Sequence, residues 1–191
     1  MKRKRLVARS ILVALSLTLL FGSSSCQAQS PSDGHVEGTA YVNRFFNLSY
    51  SWPKSLKPLD TATLKLRPPA PNGNEVLLFS AKEGTFGVII MAEKPNFHRQ
   101  LPNGETEGED LLEHIKKWWD PAGNPKVLAQ THLTNPYGLV FYELDYTHFG
   151  EYMSAIVTQA GDYQIVFRCN ANSPADLAEM TKSVISSHHL K

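Results

Sequence analysis

The chain has 191 residues, 42% of them hydrophobic and 19% charged, with 19 Lys and Arg against 18 Asp and Glu. Five of the basic residues (Lys2, Arg3, Lys4, Arg5, Arg9) and none of the acidic ones fall within residues 1–25, so the remainder carries 14 basic against 18 acidic side chains, a net charge of −4. A mildly acidic body lacks the basic footprint that nucleic acid demands, and its length suits one folded domain.

The chain opens with that basic head, followed by the eleven-residue apolar run Ile11 to Phe21 and then the small residues Gly22 to Ser25. Basic head, short apolar core and small residues in that order form a secretion signal. The run is shorter than the ~20 apolar residues a spanning helix needs. Two cleavage positions compete. Cys26 follows small residues as the lipidated cysteine of a bacterial lipoprotein does, although Ser23 stands where leucine is preferred; cleavage after Ala28 would instead release a soluble chain beginning at Gln29. The expected organisation is therefore a signal over residues 1–28, a flexible tether over 29–40 and a single domain over 41–191. The location follows: exported, and either anchored by lipid on Cys26 in a periplasmic or membrane setting, or secreted.

Within the domain, Leu48–Trp52 alternates apolar and polar residues, the period of a half-buried strand, and Pro53 ends it. A short segment of open type, Thr61–Leu66, and the Pro-rich stretch Arg67–Gly73 follow. Val76–Ala81 and Phe86–Ala92 flank Lys82-Glu83-Gly84 and read as a hairpin of buried strands. Past a polar loop over 94–106, Leu111, Leu112, Ile115, Trp118 and Trp119 form one apolar stripe at helical spacing. Asp120-Pro121 stops that helix. Four strands are expected next, Lys126–Leu133, Leu139–Thr147, Tyr152–Gln159 and Tyr163–Cys169. Their connections are too short for parallel crossovers, so neighbours pair antiparallel. A last helix is capped by Ser173, with Pro174 in its first turn and Asp176 three residues after the cap. Its apolar face is expected to run through Leu177, Met180, Val184, Ile185 and His188. The sum is an α+β fold, an antiparallel sheet with helices packed on it.

Ala40-Tyr-Val-Asn-Arg-Phe-Phe-Asn-Leu-Ser-Tyr-Ser-Trp-Pro53, an aromatic lead-in, strand and proline, resembles the opening of PsbP-like and Mog1-like domains. The order of elements after it, strand hairpin, central helix, strand meander and final helix, resembles them over about residues 40–190. The resemblance implies a layered sandwich and a non-enzymatic binding or assembly role.

Candidate chemistry is sparse. The seven histidines match no metal spacing, and Leu112-Glu-His-Ile-Lys-Lys-Trp-Trp119 lacks the second histidine of a zinc motif. No nucleotide, dinucleotide or nucleophile-elbow motif occurs, and no cofactor is expected. Glu143 and Asp145 project to one face of a strand. They could hold a cation or act as an acid/base pair, a small envelope hydrolase being the enzymatic reading. The plainer expectation is a solvent-facing strand with Arg168 or Lys126 as cross-strand partners. Adjacent Trp118 and Trp119 lie ~100° apart around a helix, so they are either a ligand platform or packed under the 94–106 loop. Cys169 is expected as a small buried apolar residue. The function these features favour is a non-catalytic exported or lipid-anchored binding module of the cell envelope. Its partner would be an envelope protein or small ligand; a purely structural envelope lipoprotein is the other alternative.

Overall fold

The structure is a computed structural model, and it describes residues 29–60, 75–94 and 125–190. Its elements in chain order are β1 (His35–Glu37), β2 (Ala40–Asn43), β3 (Leu48–Ser51), β4 (Lys57–Pro58), β5 (Glu75–Glu83), β6 (Phe86–Glu93), β7 (Lys126–Thr134), β8 (Val140–His148), β9 (Glu151–Ala160), β10 (Tyr163–Ala171), α1 (Pro174–Ile185) and β11 (His188–His189). The leader with Cys26, the 61–66 segment, most of the 94–106 loop and the helix expected to carry Trp118 and Trp119 lie outside the described residues.

Two antiparallel sheets and one described helix make the α+β architecture expected from the pattern of elements. The larger sheet has seven strands in the order β4-β5-β6-β10-β9-β8-β7. Strands β7 to β10 form an up-and-down meander because their turns are tight. In the first, Pro136 follows Asn135 and Gly138 takes φ +83, a left-handed conformation that glycine adopts without steric cost. The smaller sheet runs β1-β2-β3-β11.

Alternation in the strands sorts the larger sheet into two faces. Phe141, Ile156, Ile165, Phe167 and Ile90 lie on one, where Tyr41, Tyr50 and Phe46 of the small sheet and Leu177, Met180 and Val184 of α1 cover them. Tyr142, Leu144, Tyr146 and Ala155 are buried on the other. From Phe141 to Leu144 β8 is thus buried on both faces, and a charged side chain there has a marked environment.

Helix α1 begins as its sequence requires. The Ser173 hydroxyl accepts from the Asp176 amide at 3.2 Å, and Pro174 occupies the first turn. It stops earlier than the apolar spacing suggested. The Ser186 and Ser187 amides close the last turn onto Lys182 and Val184, and the chain then extends so that His188 pairs with Ser49 in β11. His188 therefore belongs to a strand and not to the helix face.

The 29–40 segment, read as a tether, is attached to the domain. Its second half forms β1 against β2. The Asn43 amide donates to the Pro31 carbonyl at 2.8 Å. Tyr41 lies so close that a Cβ at Gly34 would fall 1.8 Å from its hydroxyl. The sequence reading also passed over β2, β4 and β11, strands too short to show a period.

Candidate functional site

A sheet of seven strands is about 30 Å wide at ~4.8 Å per strand, whereas one helix covers about 10 Å. Helix α1 lies over β10 and β9, and the same face of β8 and β7 is left beside it. The result is a cleft of about 420 Å³ between the flank of α1 and the outer strands. Its walls are Leu128, Tyr152, Pro174, Leu177, Ala178 and Ile185; its polar groups are Glu143, Asp145, Thr181 and Lys182.

The carboxylate pair read from the sequence lies here, and its environment differs from the expectation. Glu143 is only 8% exposed. Neither expected partner reaches it. Arg168 stands opposite Ala155, which stands opposite Leu144, so Arg168 lies on the far face of the sheet; Lys126 pairs with Thr147. In place of solvent and a basic neighbour, Glu143 meets the helix. Burial pushes its carboxyl above the usual range, the Asp145 charge adds to this, and the nearby Thr181 hydroxyl opposes it in part. Asp145 stands two residues along the same strand, on the same face, so the two carboxylates are neighbours in the cleft.

Register extends the polar row inward. Asp145 pairs with Ser154, and Ser154 with Cys169. Ser154 is 1% exposed, and its hydroxyl has no hydrogen-bond partner among the described residues. Cys169 is a free, buried thiol, as expected. Burial, then the charges of Glu143 and Asp145, push its thiol well above the usual range. It is therefore a small core residue and not a nucleophile, which would need to be a thiolate.

Among the described residues, no histidine lines the cleft. Among the described residues no group of three or more His, Cys, Asp and Glu side chains is placed to hold a metal ion. The described histidines are dispersed: His35 meets Glu37 at 2.6 Å, His132 rests on Tyr142, His148 stacks on Phe149, and His189 lies by Asn47.

Thr181, Lys182, Leu128 and Tyr152 were not foreseen as site residues. Thr181 left a trace in the sequence: it sits four residues after Leu177 and three before Val184, a polar residue inside the apolar stripe of α1. The wall contributed by Leu128 had no such trace, because it depends on a bulge between Val127 and Ala129.

A second cavity, of about 450 Å³, opens where the β2–β3 turn meets the β9–β10 turn. Phe45, Phe46 and Tyr163 pack edge-on at its mouth, with ring centroids 4.8–5.8 Å apart. Asp162 and His189 also line it.

No family model matches the chain, and no curated protein matches it. The solution structure of cyanobacterial PsbP (CyanoP) from Synechocystis sp. PCC 6803 is similar in fold, with a TM-score of 0.60 and 12% identity over 88% of this chain and 99% of that one. The likeness in element order to PsbP-like domains is thus a likeness of the whole fold. At that identity it carries no residue of the cleft across.

Proposed function

We propose that this chain is a non-catalytic binding or assembly module whose ligand or protein partner engages the cleft beside α1. The observation that carries the reading is a concave, largely apolar cavity with a desolvated acid pair at its side. A fold that had only to be stable would gain by replacing such a pair with apolar groups. The cleft argues against a purely structural role. The PsbP-like fold agrees with an accessory rather than a catalytic part.

The setting we propose is the cell envelope, with the chain exported through the 1–28 signal and tethered by lipid on Cys26. No described helix is long and apolar enough to cross a membrane. Mass spectrometry of the membrane fraction is expected to find a diacylated Cys26 peptide; an unmodified N-terminus at Gln29 would show a free, secreted chain instead.

The binding role is tested by cross-linking the protein in envelope extracts, beside a Glu143→Gln/Asp145→Asn variant of equal stability. A partner or ligand captured by the parent and lost in the variant supports the cleft. Equal capture by both moves the binding surface elsewhere, and no capture by either discards the reading.

A further inference from the structure

The two edges of the large sheet are unlike. Edge strand β4 is two residues long and contains Pro58, which has no N–H to offer. Edge strand β7 is nine residues long, is mostly exposed, and contains neither proline nor any charge except Lys126. A long, uncharged edge is a template for another strand unless something blunts it. The bulge between Val127 and Ala129 disturbs only its start, and register is continuous from Ala129 to Thr134.

The backbone groups of β7 that no described strand engages can be assigned. The Asn135 amide donates to the Leu139 carbonyl at 2.9 Å, so Asn135 points toward β8. Backbone direction alternates along an antiparallel strand. Thr134, His132 and Gln130 therefore turn their N–H and C=O groups away from β8, toward the open side.

Exposed apolar residues lie along the same hairpin and at its two ends. Six large hydrophobic side chains among the described residues are exposed, and four of them belong to the β7–β8 hairpin or its flanking turns: Leu128 at 47%, Tyr137 at 57%, Val140 at 59% and Phe149 at 84%. Phe149 also holds φ +48, a left-handed conformation unfavourable for a phenylalanine. Its ring gains only a stack on His148 in the isolated chain.

We infer that β7 pairs with β7 of a second copy of this chain, joining two seven-stranded sheets into one. The strand is complementary to itself. Turned about a two-fold axis through Thr131, Gln130 faces His132 of the other copy and Ala129 faces Leu133. The outward groups of residues 130 and 132 then meet as hydrogen-bonded pairs. No like charges oppose each other, since Lys126 lies beyond the paired core. A C2 contact of this isologous kind closes after two copies, which ends growth at the dimer.

The test is the oligomeric state of the purified full chain by sedimentation, up to roughly 100 μM, a range that reaches weak associations. Two variants accompany it. His132→Pro removes an amide that faces away from β8 and leaves the hairpin's own bonds in place. Gln130→Lys/His132→Lys changes no backbone group and sets like charges directly opposite in each hydrogen-bonded pair; it serves if the proline variant does not fold. The expected result is a parental dimer whose dissociation constant rises at least tenfold in each folded variant. A parent that stays monomeric overturns the inference. So does a dimer that either folded variant leaves as tight as the parent, including one driven by the apolar leader.

Discussion

Asn135 joins the two parts of the molecule that form the cleft, and its replacement by alanine is the sharpest test of how they are held. The side chain is 5% exposed, and all its hydrogen-bonding capacity is in use. Its Nδ2 donates to the carbonyls of Ile185 at 2.8 Å and Ser187 at 2.7 Å, at the end of α1. Its Oδ1 accepts from the amides of Tyr137 and Leu139, both at 3.0 Å, within the β7–β8 turn. The orientation of the amide is unambiguous, because two carbonyls meet its nitrogen and two amides meet its oxygen. Asn135→Ala removes four hydrogen bonds, each contributing ~1 kcal/mol net. Tyr137 is exposed, and its amide recovers a bond to water. Leu139 and Ser187 are buried and recover less. The expected loss is about 3–4 kcal/mol, read by urea unfolding, or a fall in Tm of about 10 °C for a domain this size. Asn135→Asp keeps both acceptor bonds but turns carboxylate oxygen toward two carbonyls, and is expected to be no better than alanine. A loss below about 1 kcal/mol for alanine, or an aspartate variant as stable as the parent, would refute the view that this side chain clasps helix to turn.

Two further outcomes follow from buried groups elsewhere. Burial, with the neighbouring charge of Glu75, raises the Glu93 carboxyl from 4.5 to about 7 against the pull of Arg168, a disfavouring of the ionised form by roughly 3 kcal/mol. The folded state binds this proton more tightly than the unfolded state, so wild-type stability falls as pH rises from 4.5 toward 7 and then levels. Glu93→Gln is expected to match wild type near pH 4.5 and exceed it by about 2–3 kcal/mol at pH 8; urea unfolding across that range checks it, and a pH-independent difference would count against it. Met180 is fully buried where α1 meets the sheet, so Met180→Ala is expected to cost about 3 kcal/mol, and a cost within the range of a surface change would mean that the helix is loosely seated.

The large elements were legible because their signals are local. Strands β5 to β10 have runs long enough to show buried or alternating faces, and their turns carry Gly, Pro and Asn in positions where those residues have a physical reason to stand. The Ser173 cap announces α1. What escaped notice depends on partners distant in sequence. β11 is two residues of histidine that pair only because β3 lies alongside. The carboxylates were found by their spacing, but spacing cannot say which face a helix will cover. Glu143 and Asp145 were expected in water beside a basic residue. The strand order decides otherwise, by placing Arg168 on one face and α1 on the other.

That placement is the reason to connect the cleft with function. An ionised carboxylate in an apolar setting is costly unless it is paired, and Glu143 has no basic partner within its own row: its register neighbours are Thr131 and Ile156. That cost shows in the Glu143 carboxyl, which burial raises above its usual range. A bound group able to donate hydrogen bonds, or one carrying positive charge, would satisfy the same acids. Under the proposed binding role, the stability lost in keeping them is recovered when the ligand binds. Lys182 at the rim sharpens the consequence. It lines the same cleft and is exposed, and among the described residues it forms no ion pair with Glu143 or Asp145.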